Sequence, residues 1–213
     1  MSDAPPRLYL TAPASDPAEF APMLSRILAE VPIACVRLDL GTADEAAWTL
    51  AANHLMPVCH GADVPLVITD HFRLVAPLGL DGVHLAGART PVRDVRKALG
   101  ADRIVGAHAG TSHHQGMVLA EAGVDYVTFG PVRPEGALGD DDQADDELFS
   151  WWAEMIEIPC VAEGGVTLED ATRLALTADF VVPGKAVWQE EDPVAALQAF
   201  AAVLPELEDD ASR

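Results

Sequence analysis

Two short stretches carry residues that could hold an anion. In residues 158–166 an apolar run through Pro159, Cys160, Val161 and Ala162 reaches Glu163 and then the pair Gly164-Gly165. In residues 178–186 a second apolar run, Phe180 to Val182, ends in Pro183-Gly184-Lys185. Glycines let a backbone approach an anion closely, and a lysine supplies a compact positive charge. Gly164, Gly165, Gly184 and Lys185 therefore read as a phosphate seat. Two tight turns without a ligand would use the same glycines, so both readings stay open. Other chemistry-bearing side chains fall at the ends of apolar runs: Asp70 after residues 66–69, and His108 after residues 103–107.

These residues need elements to position them, and their order suggests which. A phosphate held by the loops after the last two strands is a habit of the (β/α)8 barrel. The sequence reads as α/β throughout, with strands at residues 8–11, 33–40, 66–69, 82–85, 103–107 and 124–129 followed by the two runs above. Continuous apolar strands such as 33–40 are those covered on both faces. Helix starts fall between them. Asp16, Pro17 and Glu19 suggest a capping box, Thr42 caps a second helix that Pro57 bends or ends, and Pro91, Thr111 or Ser112, and Pro193 open three more. The expectation is one TIM-barrel domain over residues 1–213 with a flexible tail at 1–6; a doubly wound open sheet is the alternative. Residues 132–146 form one long acidic loop with no cation between Pro134 and Asp146. It is expected to be solvated and mobile, its far end anchored by the helix bearing Trp151 and Trp152.

Composition narrows the partners. The formal net charge of −21 over 213 residues excludes nucleic acid and anionic membrane, which both need a basic surface. No leader-like segment opens the chain, and no apolar run is long enough to span a membrane. Cys35, Cys59 and Cys160 lie far apart in apolar surroundings, as buried thiols of a reducing compartment do. The reading is a cytoplasmic protein acting on a small phosphorylated metabolite, with a homo-oligomer allowed.

Three segments carry a family likeness. Asp81-Gly82-Val83-His84-Leu85, the run from Gly123 to Val132 containing Asp125-Tyr126-Val127 and Phe129-Gly130-Pro131-Val132, and the run from Ile158 to Val166 together resemble thiamine phosphate synthase and its relative, the thiazole tautomerase. The resemblance covers nearly the whole chain. It implies a transfer reaction in thiamine biosynthesis: hydroxymethylpyrimidine diphosphate ionises, and the nitrogen of hydroxyethylthiazole phosphate captures the resulting cation. It also implies Mg²⁺ at the diphosphate, with Asp70 as its carboxylate ligand. A thiazole-tautomerase-like isomerase, or a non-catalytic paralogue binding a phosphorylated metabolite, is the alternative.

The likeness holds at the phosphate seat and departs elsewhere. Where the family has Gln-Leu-Arg-x-Lys after strand two, this chain has Arg37, Leu38, Asp39, Leu40 and Gly41. The family's second metal aspartate, after strand four, is replaced by Arg89, and its lysine after strand six by Leu138. Arg37, Arg89 and Arg133 are candidates to restore positive charge at a ligand. His84 reads as a barrel histidine bonded to a neighbour and as a further ligand candidate. His108 stands where the family has a serine, two positions before the tautomerase's histidine, and is the candidate acid–base residue. A histidine metal site is not expected, because the adjacent His113 and His114 diverge on a helix.

Overall fold

A computed structural model describes residues 7–13, 16–41, 44–87, 90–134 and 143–205. Its strands are β1 (Arg7–Thr11), β2 (Ile33–Leu38), β3 (Leu66–Thr69), β4 (Gly82–Leu85), β5 (Ile104–His108), β6 (Tyr126–Phe129), β7 (Cys160–Ala162) and β8 (Phe180–Val181). All pair in parallel in chain order, and β8 pairs with β1 to close the barrel. Closure settles the alternative of an open sheet. The helices between and after them are α1 (Pro17–Glu30), α2 (Glu45–Gly61), α3 (Val75–Leu78), α4 (Val92–Leu99), α5 (His113–Ala122), α6 (Asp146–Met155), α7 (Leu168–Leu174) and α8 (Pro193–Val203). Short 3₁₀ turns occupy Phe72–Leu74 and Lys185–Gln189.

Local chemistry sets the element ends, sometimes differently from the sequence reading. Asp16 caps α1 by accepting from Ala18 N, and Ser112 caps α5 by accepting from Gln115 N. The reciprocal capping box is found in α7, where Thr167 and Asp170 exchange bonds. Asp44 caps α2; Thr42 lies outside the described residues. Pro57 does not end α2, which continues to Gly61. Tertiary packing overrides the local penalty, since Trp48, Ala51, Ala52, Leu55 and Cys59 form a buried stripe along that helix. β2 ends at Leu38 instead of reaching Leu40, because the Asp39 carboxylate accepts from Gly41 N and turns the chain.

Alternation along the strands separates two packing regions. Leu8, Leu10, Val36, Ile68, Val83 and Val127 face the helices in the main core, while Tyr9, Cys35, Val67, Tyr126, Val161 and Val182 fill the barrel interior. Gly106 also faces inward, and the Tyr126 ring lies across it. Side chains two residues farther along a strand share its face. Thr11, Arg37, Thr69, His108, Thr128 and Glu163 each follow an inward residue by two, so one polar step sits above the apolar plug at the C-terminal mouth. The expected loop over residues 132–146 is described only at its ends: Ala144 N donates to Pro131 O, and residues 135–142 lie outside the described residues. The helix beyond it is anchored as expected, with Trp152 fully buried against Phe129 and its Nε1 donating to Ile158 O at 2.7 Å.

The plug makes one position intolerant. A Cβ at Gly106 would lie 2.0 Å from Tyr126 Cζ, so Gly106→Ala is expected to destabilise the barrel by about 1–3 kcal/mol through overpacking. Urea unfolding measures this, and Gly87→Ala, whose Cβ would meet nothing within 4 Å among the described residues, is the matched control.

Candidate functional site at the barrel mouth

A cavity of about 720 Å³ opens at the C-terminal ends of the strands. Its wall includes Arg37, Asp39, His84, His108, Glu163 and Trp188, together with the glycine loops. Its polar floor is one connected network. Arg37 Nη2 donates to Glu163 Oε2 at 2.7 Å, spanning from β2 to the end of β7. Glu163 Oε1 accepts from Thr128 Oγ1 at 2.7 Å and lies 2.9 Å from His108 Nδ1. The same His108 nitrogen is 2.9 Å from Thr128 Oγ1. The Arg37 guanidinium sits over the Tyr9 ring, 5.6 Å from its centroid.

Beneath this layer, His84 stacks on Tyr126, and its Nδ1 is 3.2 Å from the Tyr126 hydroxyl, which pairs in turn with the Tyr9 hydroxyl at 2.8 Å. Burial, reinforced by the positive charge of Arg37, lowers the His84 imidazole to about 3. His84 is therefore neutral in the folded protein at ordinary pH. Burial alone would raise the Glu163 carboxyl, but Arg37 and the hydrogen bond from His108 outweigh it and hold the group well below the usual carboxylate range. Glu163 is ionised. Burial pushes the Tyr9 and Tyr126 phenols up, and they stay protonated.

The glycine loops form the opposite wall. Gly164 and Gly165 have φ of +84° and +69°. A Cβ at Gly164 would lie 2.7 Å from Pro131 Cα, and one at Gly165 would lie 2.7 Å from Arg133 O. The two glycines are thus needed to pack the loop after β7 against the loop after β6, whether or not an anion binds. Among the described residues, the N–H groups of Gly164 and Gly165 donate to no protein acceptor. Gly184 N is used internally, donating to Val166 O at 2.9 Å. Lys185 follows at the start of the 3₁₀ turn and lines the cavity.

The structure brings together most, not all, of the residues marked from sequence. Gly164, Gly165, Gly184, Lys185, Arg37, His84 and His108 share the cavity wall. Arg133 is absent from that wall. Its guanidinium clamps the buried Asp170 through Nε and Nη2, at 2.5 and 3.0 Å, and so ties the β6 loop to α7. Arg89 lies outside the described residues. Asp70 has φ +57°, and its Oδ1 accepts from Ala86 N at 2.9 Å, tying the β3 and β4 loops together. No three His, Cys, Asp or Glu side chains gather as metal donors among the described residues. One engaged carboxylate is a poor seat for Mg²⁺, which demands several oxygens in octahedral array; the donors among the described residues do not by themselves make a resident ion's site.

Glu163 and Thr128 are the residues sequence reasoning missed. The available signal was a carboxylate set between an apolar strand and a glycine pair. At the C-terminal end of a barrel strand, such a residue reads as functional.

A closed parallel (β/α)8 barrel with its polar cavity at the C-terminal mouth defines the class. The thiamine monophosphate synthase family model matches residues 8–187, and the chain belongs to that family. It is 42% identical over 201 residues to the thiamine-phosphate synthase of Rhodospirillum centenum, covering 93% of this chain and 97% of that one. It is 36% identical over 209 residues to the thiamine-phosphate synthase of Hyphomonas neptunium, covering 94% and 95%. In three dimensions it resembles thiamine phosphate pyrophosphorylase from Pyrococcus furiosus, with a TM-score of 0.81 at 20% identity over 92% of this chain and 94% of that one. A 3-hexulose-6-phosphate synthase follows the same barrel at TM-score 0.66 and 18% identity, over 92% and 99%. At those identities the structural likenesses concern the fold. No helix among the described residues is long and apolar enough to cross a membrane.

The buried charges make stability depend on pH. His84 binds a proton in the unfolded chain near its ordinary 6.5 but in the folded one only near about 3, so stability falls as pH drops through that window. Glu163 is likewise depressed, and its contribution is lost as pH falls below its ordinary 4.5. His84→Asn is expected to flatten the upper part of the acid limb and Glu163→Gln the lower part. At neutral pH Glu163→Gln also costs about 3–5 kcal/mol, because Arg37 is left buried without its partner. Urea unfolding of the three proteins at a series of pH values checks all of this; a Glu163→Gln limb parallel to wild type below pH 4.5 refutes the assignment.

Proposed function

We propose that the chain acts as a thiamine phosphate synthase, joining hydroxymethylpyrimidine diphosphate to hydroxyethylthiazole phosphate. The observation that carries this reading is the near-full-length likeness to thiamine-phosphate synthases, at 42% identity across the whole barrel. The thiazole phosphate sits on Gly164 and Gly165, whose N–H groups have no protein acceptor among the described residues, with Lys185 balancing its charge. Phosphate recognition by backbone dipoles needs no positive net charge, which suits a chain of −21. The thiazole nitrogen then points into the cavity toward the pyrimidine. Departure of diphosphate leaves a pyrimidine cation, which the thiazole nitrogen captures. The three described cysteines are free and buried, which suits a reducing cytoplasmic setting.

A second reading has a specific observation in its favour. Asp39 lines the cavity where the family carries an arginine, and Arg37 is already paired with Glu163. The diphosphate therefore meets a carboxylate and an arginine already engaged by another carboxylate. On this reading the barrel keeps its phosphorylated heterocycle and works as an isomerase, or binds without turnover.

Calorimetry separates the two. Hydroxyethylthiazole phosphate is expected to bind, and Lys185→Ala to weaken it by about 1–3 kcal/mol, as for loss of a charge-assisted contact. Micromolar binding of pyrimidine diphosphate with Mg²⁺, together with formation of thiamine phosphate, establishes the synthase. Thiazole phosphate binding with no turnover favours the second reading, and failure of both ligands to bind refutes the seat.

A further inference from the structure

The floor of the cavity fixes the position of a proton. Glu163 is an ionised carboxylate held by Arg37, and it can only accept. Thr128 Oγ1, 2.7 Å from Glu163 Oε1, must therefore donate its one hydrogen there. That leaves Thr128 Oγ1 as an acceptor toward His108 Nδ1, 2.9 Å away. Glu163 Oε1, also 2.9 Å from this nitrogen, is a second acceptor. With acceptors on both contacts, Nδ1 carries hydrogen whether the ring is neutral or charged. The neutral ring then keeps its lone pair on Nε2. No described protein group hydrogen-bonds to Nε2; the His108 side chain is 30% exposed, and the residue lines the cavity.

We infer that Glu163 is a positioning residue that, with Thr128, holds His108 as the Nδ1–H tautomer and leaves Nε2 as a proton acceptor facing a phosphorylated ligand on the glycine loops. A carboxylate behind an imidazole fixes both its orientation and its tautomer, and so leaves the far nitrogen bare. Neither Glu163 nor Thr128 contributes to the barrel's apolar plug. Thr69, at the corresponding end of β3, has a buried hydroxyl without a hydrogen-bond partner, so a polar group at the mouth does not automatically acquire such a network. The ligand class is a phosphorylated heterocycle carrying an acidic N–H or C–H. Its proton passes to Nε2 while the bonding pair stays on the ligand. Return of the proton to another ligand atom or to solvent completes the step, so no oxidant or second reactant is required. This rests on the phosphate seat proposed above.

Long-range proton–nitrogen NMR on the full chain with ¹⁵N-labelled histidine reads the tautomer directly, with His108→Asn assigning the signal. In the neutral ring, wild type is expected to show hydrogen on Nδ1 and a bare Nε2. Thr128→Val should keep this pattern, since Glu163 still accepts from Nδ1. Glu163→Gln should shift the ring toward the Nε2–H form that a free histidine side chain favours. A wild-type ring protonated on Nε2 overturns the inference whether or not Glu163→Gln folds, as does an unchanged tautomer in a folded Glu163→Gln protein. A second arm uses diethylpyrocarbonate, whose carbonyl carbon the bare nitrogen attacks, expelling carbon dioxide and ethanol. His108 labelling, located by mass spectrometry, is expected to slow several-fold under saturating hydroxyethylthiazole phosphate. Equal labelling with that ligand demonstrably bound overturns the placement of Nε2 at the ligand. Absence of calorimetric binding would overturn the seat instead, and leave the tautomer result to decide the role of Glu163.

Discussion

The ion pair between Arg37 and Glu163 is the contact on which the rest of the mouth depends. Each charge taken alone would be expensive to bury, and their mutual attraction repays that cost only because the geometry is good and the remaining carboxylate oxygen is also bonded. The pair joins β2 to the end of β7, across the width of the barrel. Its consequences spread in both directions. Burial, reinforced by Arg37's charge, keeps His84 neutral beneath it, which lets His84 pack against Tyr126 without a counter-ion. Glu163, kept ionised, orders Thr128 and His108 beside it. Removing either partner would leave the other buried alone, so the cavity's electrostatics stand or fall together.

The pair also bears on what the cavity can hold. An arginine locked to a carboxylate contributes little net charge to an incoming anion, and Asp39 contributes the wrong sign. The glycine loops attract by backbone dipoles and do not depend on that balance. A cavity with one dipolar wall and one internally neutralised wall suits a ligand with a single phosphate and an uncharged or cationic body better than a polyanion. This is the physical tension between family membership, which the near-full-length relatives establish, and the local chemistry of this chain.

The architecture was legible in the sequence because parallel barrel strands are short apolar runs bounded by caps and prolines. β3 and β4 are found where the residues placed them. Ends were harder. Pro57, read as a bend or an end, lies inside α2, because the buried stripe from Trp48 to Cys59 outweighs one proline. The glycine loops were legible as a close approach, though part of the reason for the glycines proved to be the β6 loop packed against them. Arg133 illustrates the limit: an arginine on a loop gives no sign, in sequence, that its partner is a buried aspartate on α7, 37 positions later. The Tyr9–Tyr126 contact, 117 positions apart, and the Glu163 network are products of closure. No spacing rule could have found them before the barrel was built.

The four tryptophans are unevenly placed. Trp48 and Trp152 are sealed in the core and Trp151 packs at the edge of α6 against His113, whereas Trp188 lines the cavity beside Lys185 and rests its ring against Phe20. Emission from this protein therefore contains a component from the mouth over a background from chromophores that a quencher reaches poorly. The molecule carries its own optical reporter of occupancy, with no label needed.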